Sequence, residues 1–317
     1  MTHEPILRPV PPLASVDVPA SSANLGSGFD CFAAAISLKL RAELHAGDEP
    51  GIVLNARGEG APADDEPRDE NLLIRAFREG MRHAGGAAEG SGSWRLEVSS
   101  MIPAARGLGS SAAAIVAGVV LGAAMGRRAV ADDELVALAA ALEGHPDNVA
   151  AAFHGGFTLA VEGDRGRLHV RRLRVPEAWI PVAFISQRAS RTEQMRAVLP
   201  ESVSHADATR QASRAALLSM AIMTSDAGLL RAAMADRLHQ PYRLPLLPGS
   251  VELIESAYER GAAGACLSGA GPSVLAICDS PVTAHAVEKA WNASGVPGMA
   301  TRLRFDTSGA RLATPDG

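Results

Sequence analysis

A glycine-rich bend that opens onto an apolar helix constrains this chain more than any other feature: Ile102-Pro-Ala-Ala-Arg-Gly-Leu-Gly-Ser-Ser-Ala-Ala113. Gly107 and Gly109 let the backbone come close to a ligand, and Ser110 and Ser111 begin a helix whose free amides and positive dipole end favour an anion. The segment is built like a phosphate cradle. A Walker A loop would place a lysine just before the hydroxyl residue, yet the only lysines of the chain are Lys39 and Lys289. A dinucleotide fingerprint would need three spaced glycines and a following acidic residue, and neither is present. Phosphate chemistry here must run on backbone amides, hydroxyls, metal and arginine; a glycine-rich helix entry that binds nothing is the plain alternative. The apolar run over residues 112–125 is shorter than the roughly twenty residues a bilayer needs, so a buried helix is expected.

Three further segments concentrate polar groups among small residues. In Pro19-Ala-Ser-Ser-Ala-Asn-Leu-Gly-Ser-Gly-Phe-Asp30, Asn24 and Asp30 present an amide and a carboxylate suited to an amine and a hydroxyl, although turn chemistry explains them equally well. Glu143-Gly-His-Pro-Asp-Asn148 packs two carboxylates, an imidazole and an amide behind a helix end. Glu143 would complete a magnesium site with the hydroxyl of Ser110 or Ser111 and phosphate oxygens; a capped turn is the alternative. Leu267-Ser-Gly-Ala-Gly-Pro-Ser273 reads as a small-residue turn that admits a ligand or another chain segment, or as a tight hairpin.

The 317 residues suit two lobes, with a break expected in the charged stretch 162–174, dividing the chain into 1–168 and 169–317. Residues 1–12 read as a loose arm, and 14–18 as a strand entering a polar loop over 19–28. Paired strands are expected over 31–38 and 39–45, and further strands over 52–55, 94–99, 157–161, 182–185, 264–278 (strand, loop, strand) and 301–305. Helical spacing covers 71–84, 110–126, 132–143, 206–224, 226–238, 250–260 and 284–293, with Asp132 as a cap. A short apolar segment follows Asn148. Strands and helices mix without regular alternation or internal repeat, which predicts an α+β fold.

Acidic side chains outnumber basic ones, 35 to 30, so no nucleic-acid partner is expected. Cys31, Cys266 and Cys278 are too few for a disulfide framework or a zinc site, which fits a reducing compartment. Residues 1–12 have no continuous apolar stretch, so neither a signal nor a transit peptide is expected and a cytoplasmic location is. No membrane association is expected; a homodimer is the one assembly considered, and the sequence leaves the oligomeric state open.

In order and separation, these segments resemble the signature motifs of the galactokinase, homoserine kinase, mevalonate kinase and phosphomevalonate kinase superfamily, and their wording is most similar to the homoserine kinase family. Residues 22–30, 103–113, 143–150 and 268–273 carry the resemblance. Arg196-Ala-Val-Leu-Pro200 and Asp236-Arg-Leu-His-Gln-Pro-Tyr-Arg243 support it. It implies a two-lobed α+β kinase, with an N-terminal lobe like ribosomal protein S5 domain 2 and a ferredoxin-like C-terminal lobe. ATP would lie along Pro103, Ala104, Ala105, Arg106, Gly107, Leu108, Gly109, Ser110, Ser111, Ala112 and Ala113, with Mg2+ on Ser110, Ser111 and Glu143. L-homoserine would lie beside it. By motif position, Asn24 and Asp30 would hold the amino acid, Asp30 meeting its ammonium, while Arg196 and Arg243 take its carboxylate with a bidentate fork. Gly269 would line the same site, and His145, Asp147 and Asn148 would sit near the reacting hydroxyl. The expected reaction gives O-phospho-L-homoserine and ADP, in threonine biosynthesis.

Two departures bear on this resemblance. Ser27 stands where the family commonly has proline, and Glu134 is a second candidate for the metal carboxylate. Two other activities compete: phosphorylation of mevalonate or a related alcohol, and a catalytically silent ATP sensor on the same fold. Mevalonate has no ammonium for Asp30 to pair with, and an intact Glu143 with two serines argues against a silent site.

Overall fold

Residues 14–23, buried almost throughout, and residues 32–46, whose burial alternates from Ile36 to Leu44, build the first sheet, which the computed structural model shows together with the rest of residues 11–59, 71–86 and 92–315. In chain order the first lobe runs β1 (Ala14–Ala23), β2 (Phe32–Ala46), β3 (Gly51–Gly58), α1 (Leu72–His83), β4 (Ser93–Ser100), α2 (Ser110–Ala124), α3 (Asp132–Glu143), α4 (Pro146–His154), β5 (Phe157–Glu162) and β6 (Leu168–Leu173). The second runs β7 (Ile180–Ser186), α5 (Thr192–Ala197), α6 (His205–Thr224), α7 (Leu230–Ala233), α8 (Gln240–Arg243), α9 (Ser250–Glu259), β8 (Gly264–Leu267), β9 (Val274–Cys278), α10 (Pro281–Asn292) and β10 (Gly298–Arg302); β11 (Arg311–Ala313) then returns to the first sheet. The expected arm over residues 1–12 lies almost wholly outside the described residues.

The first sheet has the order β11-β1-β2-β4-β3, with β5 and β6 extending from the start of β2. One edge of β2 follows β1, while the other pairs first with β5 at Phe32 to Ala34 and then with β4 from Leu40 onward. A register shift at Pro19, which has no N–H for the ladder, lets β1 follow that bend. The paired strands expected over 31–38 and 39–45 are therefore one strand, because no glycine, proline or asparagine separates Leu38 from Lys39 to turn the chain.

The apolar helix α2 is buried against α1, and the small residues in it are what permit the contact. A Cβ on Gly118 would fall 2.4 Å from the Leu73 carbonyl, and one on Gly122 would fall 2.0 Å from that of Phe77. Ala112, Ala113, Val116 and Val119 point into the core shared with the sheet. Among the described residues no helix is long and apolar enough to cross a membrane.

The second sheet has the order β10-β7-β9-β8, antiparallel throughout. With helices between β7 and β8 and between β9 and β10, this is the βαββαβ arrangement of a ferredoxin-like lobe. Its core gathers Phe184, Leu253 and Trp291, whose indole donates to the Leu253 carbonyl at 2.8 Å.

The structure differs from the sequence expectations elsewhere too. A break at 168/169 would cut through β6, which pairs with β5 along its whole length; the change of sheets falls between Leu173 and Ile180. The apolar segment after Asn148 is helix α4, with Pro146 in its first turn where a missing N–H costs nothing. Residues 226–238 give only a 3-10 turn and the four-residue α7, since Asp226 caps one turn and Asp236 starts another. Asp132 is the first helical residue of α3 rather than its cap. The strand expected over 301–305 runs over 298–302 instead, and β11 follows it where no strand is expected from the sequence.

Candidate active site

The bend between β4 and α2 needs left-handed backbone at Ala105, Gly107 and Gly109, with φ of 53°, 76° and 69°. Side chains would also collide there: a Cβ on Gly107 would sit 2.3 Å from the Ser268 carbonyl, and one on Gly109 would sit 2.1 Å from Ser21 Oγ. Gly109 is the N-cap of α2 and has no side chain to occupy the first helical amides, so these face outward as donors. The second lobe braces the bend. Ser268 Oγ is hydrogen-bonded to the Gly107 carbonyl at 2.6 Å and to Ser22 Oγ at 2.8 Å. The amides of Ser190 and Ser273 donate to the carbonyls of Ala105 and Arg106.

Beside the helix entry, Ser111 Oγ donates to Glu143 Oε1 at 2.6 Å. Glu143 is the last residue of α3, and Gly144, at φ 86°, turns the chain there. Burial holds the Glu143 carboxyl above the usual carboxylate range, with Ser111 and His145 pulling the other way. His145 Nδ1 lies 3.4 Å from Asp147 Oδ1, and its Nε2 lies 3.9 Å from Glu143 Oε1. Burial lowers the affinity of this imidazole for a proton, but the two carboxylates outweigh it and leave the pKa raised. Asp147 sits in the first turn of α4, where its charge suits the dipole, and Oδ1 accepts from the Asn148 amide at 2.7 Å. Asn148 Oδ1 in turn accepts from Ser21 Oγ at 2.9 Å. Nearby Cys31 is held in the thiol form, its pKa pushed up to about 11 by burial and by Asp147 and Asp30.

The far wall is charged. Asp30 and Arg196 form a bidentate pair, with N–O distances of 2.7 and 3.0 Å. Arg243, 1% exposed, donates from Nε to the Met195 carbonyl at 3.1 Å, and burial first and Arg196 second pull its pKa down to about 10. Both guanidinium groups lie over the ring of Phe29, at 5.8 and 5.4 Å from its centroid. Asn24, at φ 69°, uses both ends of its amide internally: Nδ2 donates to the Gly269 carbonyl and Oδ1 accepts from the Asp30 amide.

A cavity of about 930 Å³ joins these groups. Asn24, Asp30, Ala105, Gly107, Gly109, Ser110, Ser111, Glu143, His145, Asp147, Asn148, Arg196, Arg243 and Gly269 all line it. Ala104, with Ser110 and Ser111, lines an adjoining apolar cavity of about 200 Å³ walled by Leu40, Leu54, Val98 and Ile102. Leu108, Ala112 and Ala113 are instead buried in the core, and Arg106 turns its guanidinium to the Ala104 carbonyl. Pro103 lines neither cavity. Of the two serines, Ser111 and not Ser110 bonds Glu143. Glu134 pairs with Arg128 and His83 at the opposite end of α3, so the second metal candidate is away from the site.

Sequence reasoning missed Ser190, Arg191, Thr192 and Glu193, which line the cavity from the start of α5. No spacing marks them, since they reach the cavity only because Ser190 bonds the bend. It also missed Gln211, Asp236 and His239, buried behind Arg243. An acidic residue three positions before a histidine, ahead of Gln-Pro, was the available signal for the last two.

Comparison with known proteins matches residues 71–156 to the GHMP kinases N terminal domain and residues 214–297 to the GHMP kinases C terminal domain. The chain is 42% identical to homoserine kinase of Moorella thermoacetica, over 83% of this chain and 86% of that one. It is 41% identical to homoserine kinase of Streptomyces coelicolor, over 94% of this chain and 93% of the other. The crystal structure of homoserine kinase from Cytophaga hutchinsonii superposes with a TM-score of 0.85 at 23% identity, covering 99% of this chain and 100% of that one.

Proposed function

This chain belongs to the homoserine kinase family of the GHMP kinases, and from that membership and its cavity we propose that it phosphorylates the side-chain hydroxyl of L-homoserine with ATP. The products are O-phospho-L-homoserine and ADP, the step that threonine biosynthesis uses. One observation carries the reading: a single cavity sets the amides and hydroxyls of Gly107 to Ser111 opposite the Asp30, Arg196 and Arg243 charges. A triphosphate needs the first and a zwitterion the second.

The γ- and β-phosphates would lie over the helix amides, and the base would extend into the apolar cavity. Ser111 and Glu143 offer two hard oxygen donors in contact, and a buried carboxylate favours a cation beside it, so the residues fit magnesium. Bound there, magnesium would neutralise phosphate charge. Asp30 and Arg196 neutralise each other, and a zwitterion would exchange that pair for two: its ammonium with Asp30, its carboxylate with Arg196 and Arg243. The substrate hydroxyl would then face Asn148. The new O–P bond forms as the bond to the β,γ-bridging oxygen breaks, ADP departs, and the hydroxyl proton passes to an oxygen of the transferred phosphoryl group and leaves with the phosphorylated product. Alignment does most of this work, so a strong base is unnecessary. His145, biased toward its protonated form by Asp147 and Glu143, supplies positive charge near the phosphates.

The enzyme would work in the cytoplasm on two small molecules, without nucleic acid or membrane, as a monomer or a homodimer. A magnesium-dependent ADP-release assay with L-homoserine, L-serine, L-threonine and mevalonate tests the reading. L-homoserine should be the preferred acceptor by a wide margin. Preference for mevalonate, or ATP binding without ADP release for any acceptor, would overturn it.

A further inference from the structure

Arg243 is one of the least exposed charged residues in the chain, and its fork does not hold itself in place. Nε donates to the Met195 carbonyl, while one terminal nitrogen, Nη1, lies 3.2 Å from His239 Nδ1 and 3.4 Å from the Gly269 carbonyl. An arginine can only donate, so His239 Nδ1 must be the acceptor. The other ring nitrogen, Nε2, lies 2.9 Å from the Gly26 carbonyl, which can only accept, so Nε2 must carry the proton. The two neighbours thus specify one neutral tautomer of a fully buried ring.

Its surroundings hold the ring in that pose. The His239 amide donates to Asp236, whose two oxygens also accept from Leu238, Gln240 and the Gln211 side chain. Gln211, on α6, reaches the Ser27 carbonyl as well, at 2.8 Å. Phe29 stacks on the imidazole, with ring centroids 5.1 Å apart. Gly26, Ser27 and Phe29 belong to the loop that carries Asn24 and Asp30. The network therefore ties the loop holding one end of the amino-acid site to the arginine at the other end.

We infer that His239 is a positioning residue: as a neutral strut between the Gly26 carbonyl and Arg243, it fixes the separation of the ammonium and carboxylate subsites and aims the Nη2 end of Arg243 into the cavity. This inference rests on the reading of Arg243 as a carboxylate-binding group. Its effect should fall on the amino acid and spare the nucleotide. His239→Gln keeps a donor for Gly26 but offers Arg243 no acceptor, whereas His239→Asn keeps an acceptor near the Nδ1 position.

The test compares steady-state constants for both variants, for Arg243→Ala and for Arg243→Ala combined with His239→Gln. His239→Gln should raise the KM for L-homoserine about tenfold or more, as expected for a lost hydrogen bond to a charged group, with kcat and the KM for ATP within about twofold. His239→Asn should do so less, and His239→Gln should add nothing once Arg243 is gone. Wild-type protein supplies a readout that does not depend on any variant folding: 15N NMR should show the neutral Nε2–H tautomer at pH 7. A protonated ring, the opposite tautomer, equal effects of the Gln and Asn variants, or additivity with Arg243→Ala would overturn the inference. If Arg243→Ala leaves the KM for L-homoserine unchanged, the carboxylate reading falls and takes the inference with it; if that variant is costly and His239→Gln is harmless, the inference alone falls.

Discussion

The two halves of the cavity offer a charged ligand different kinds of group. The half proposed for the triphosphate is made of backbone: amides at a helix entry, bent into place by Gly107 and Gly109 and braced by Ser268 from the other lobe. The half proposed for the amino acid is made of ionised side chains drawn from β1's loop, α5 and α8, and held by buried polar groups behind them. Only proline removes a backbone amide and every other substitution can at most displace it, so the first half depends on shape. The second depends on the identity of single side chains. Damage to one half should therefore leave the signature of the other intact.

The largest effect should come from the oxygen pair at the join. Glu143→Ala should lower kcat by about a hundredfold to a thousandfold, as for other oriented electrostatic groups, with little change in the KM for L-homoserine. Ser111→Ala should act in the same direction. Should either variant instead lose thermal stability while the remaining folded protein turns over normally, the pair is a structural cap.

Asp30→Asn should cost about 2–4 kcal/mol in kcat/KM for L-homoserine, read by initial rates, while the KM for ATP stays put. The Asp30–Arg196 pair is more than a third exposed on both sides, so its loss should change folding stability by no more than about 1 kcal/mol. A large drop in melting temperature with unchanged specificity would reverse the comparison. Gly107→Ala forces a left-handed alanine against the Ser268 carbonyl and should cost about 2 kcal/mol of stability by thermal unfolding, raising the KM for ATP alone. An equal rise for L-homoserine would mean that the two halves move together.

The smallest effect concerns acid. Burial lowers the pKa of His239, with Arg243 acting in the same sense and Asp236, Asp30 and the Gly26 carbonyl opposing it. A lowered folded pKa means the unfolded chain binds the proton more readily. That stability contribution is complete above an unfolded pKa of about 6.5 and is lost as pH falls through the folded value. Melting temperatures between pH 7 and pH 5 should therefore decline less in His239→Asn than in wild type. His154, lowered chiefly by burial, contributes with the same sign to both proteins and cancels in the difference. Identical slopes would show that His239 does not titrate in this way.

The same contrast explains what could be read beforehand. The bend and helix at 102–113 are contiguous, and their glycines, serines and apolar run state a conformation locally, so the bend and its helix were legible. Helices such as α3 and α6 carry their periodicity on their surface and were placed to within a residue or two. The amino-acid half is assembled across more than two hundred residues of chain, from Asn24 to Arg243. Asn24 and Asp30 read as turn residues suited to an amine, Arg196 and Arg243 were named only through resemblance, and their mutual pairing was not foreseen. Nothing local says that Asp30 and Arg196 meet, or that Asn24 spends its amide on Gly269 and Asp30. The strand β2 and the helix α4 were misread for a related reason: bulges and proline in a first helical turn look like breaks until the neighbouring elements are in place.

A crystal structure with a non-hydrolysable ATP analogue and L-homoserine together tests the central claim most directly. The account predicts triphosphate oxygens on the amides between Gly107 and Ser111, with the amino acid's ammonium at Asp30 and its carboxylate at Arg196 and Arg243. A triphosphate bound elsewhere, or an amino acid lying with its charges away from those three side chains, would contradict it.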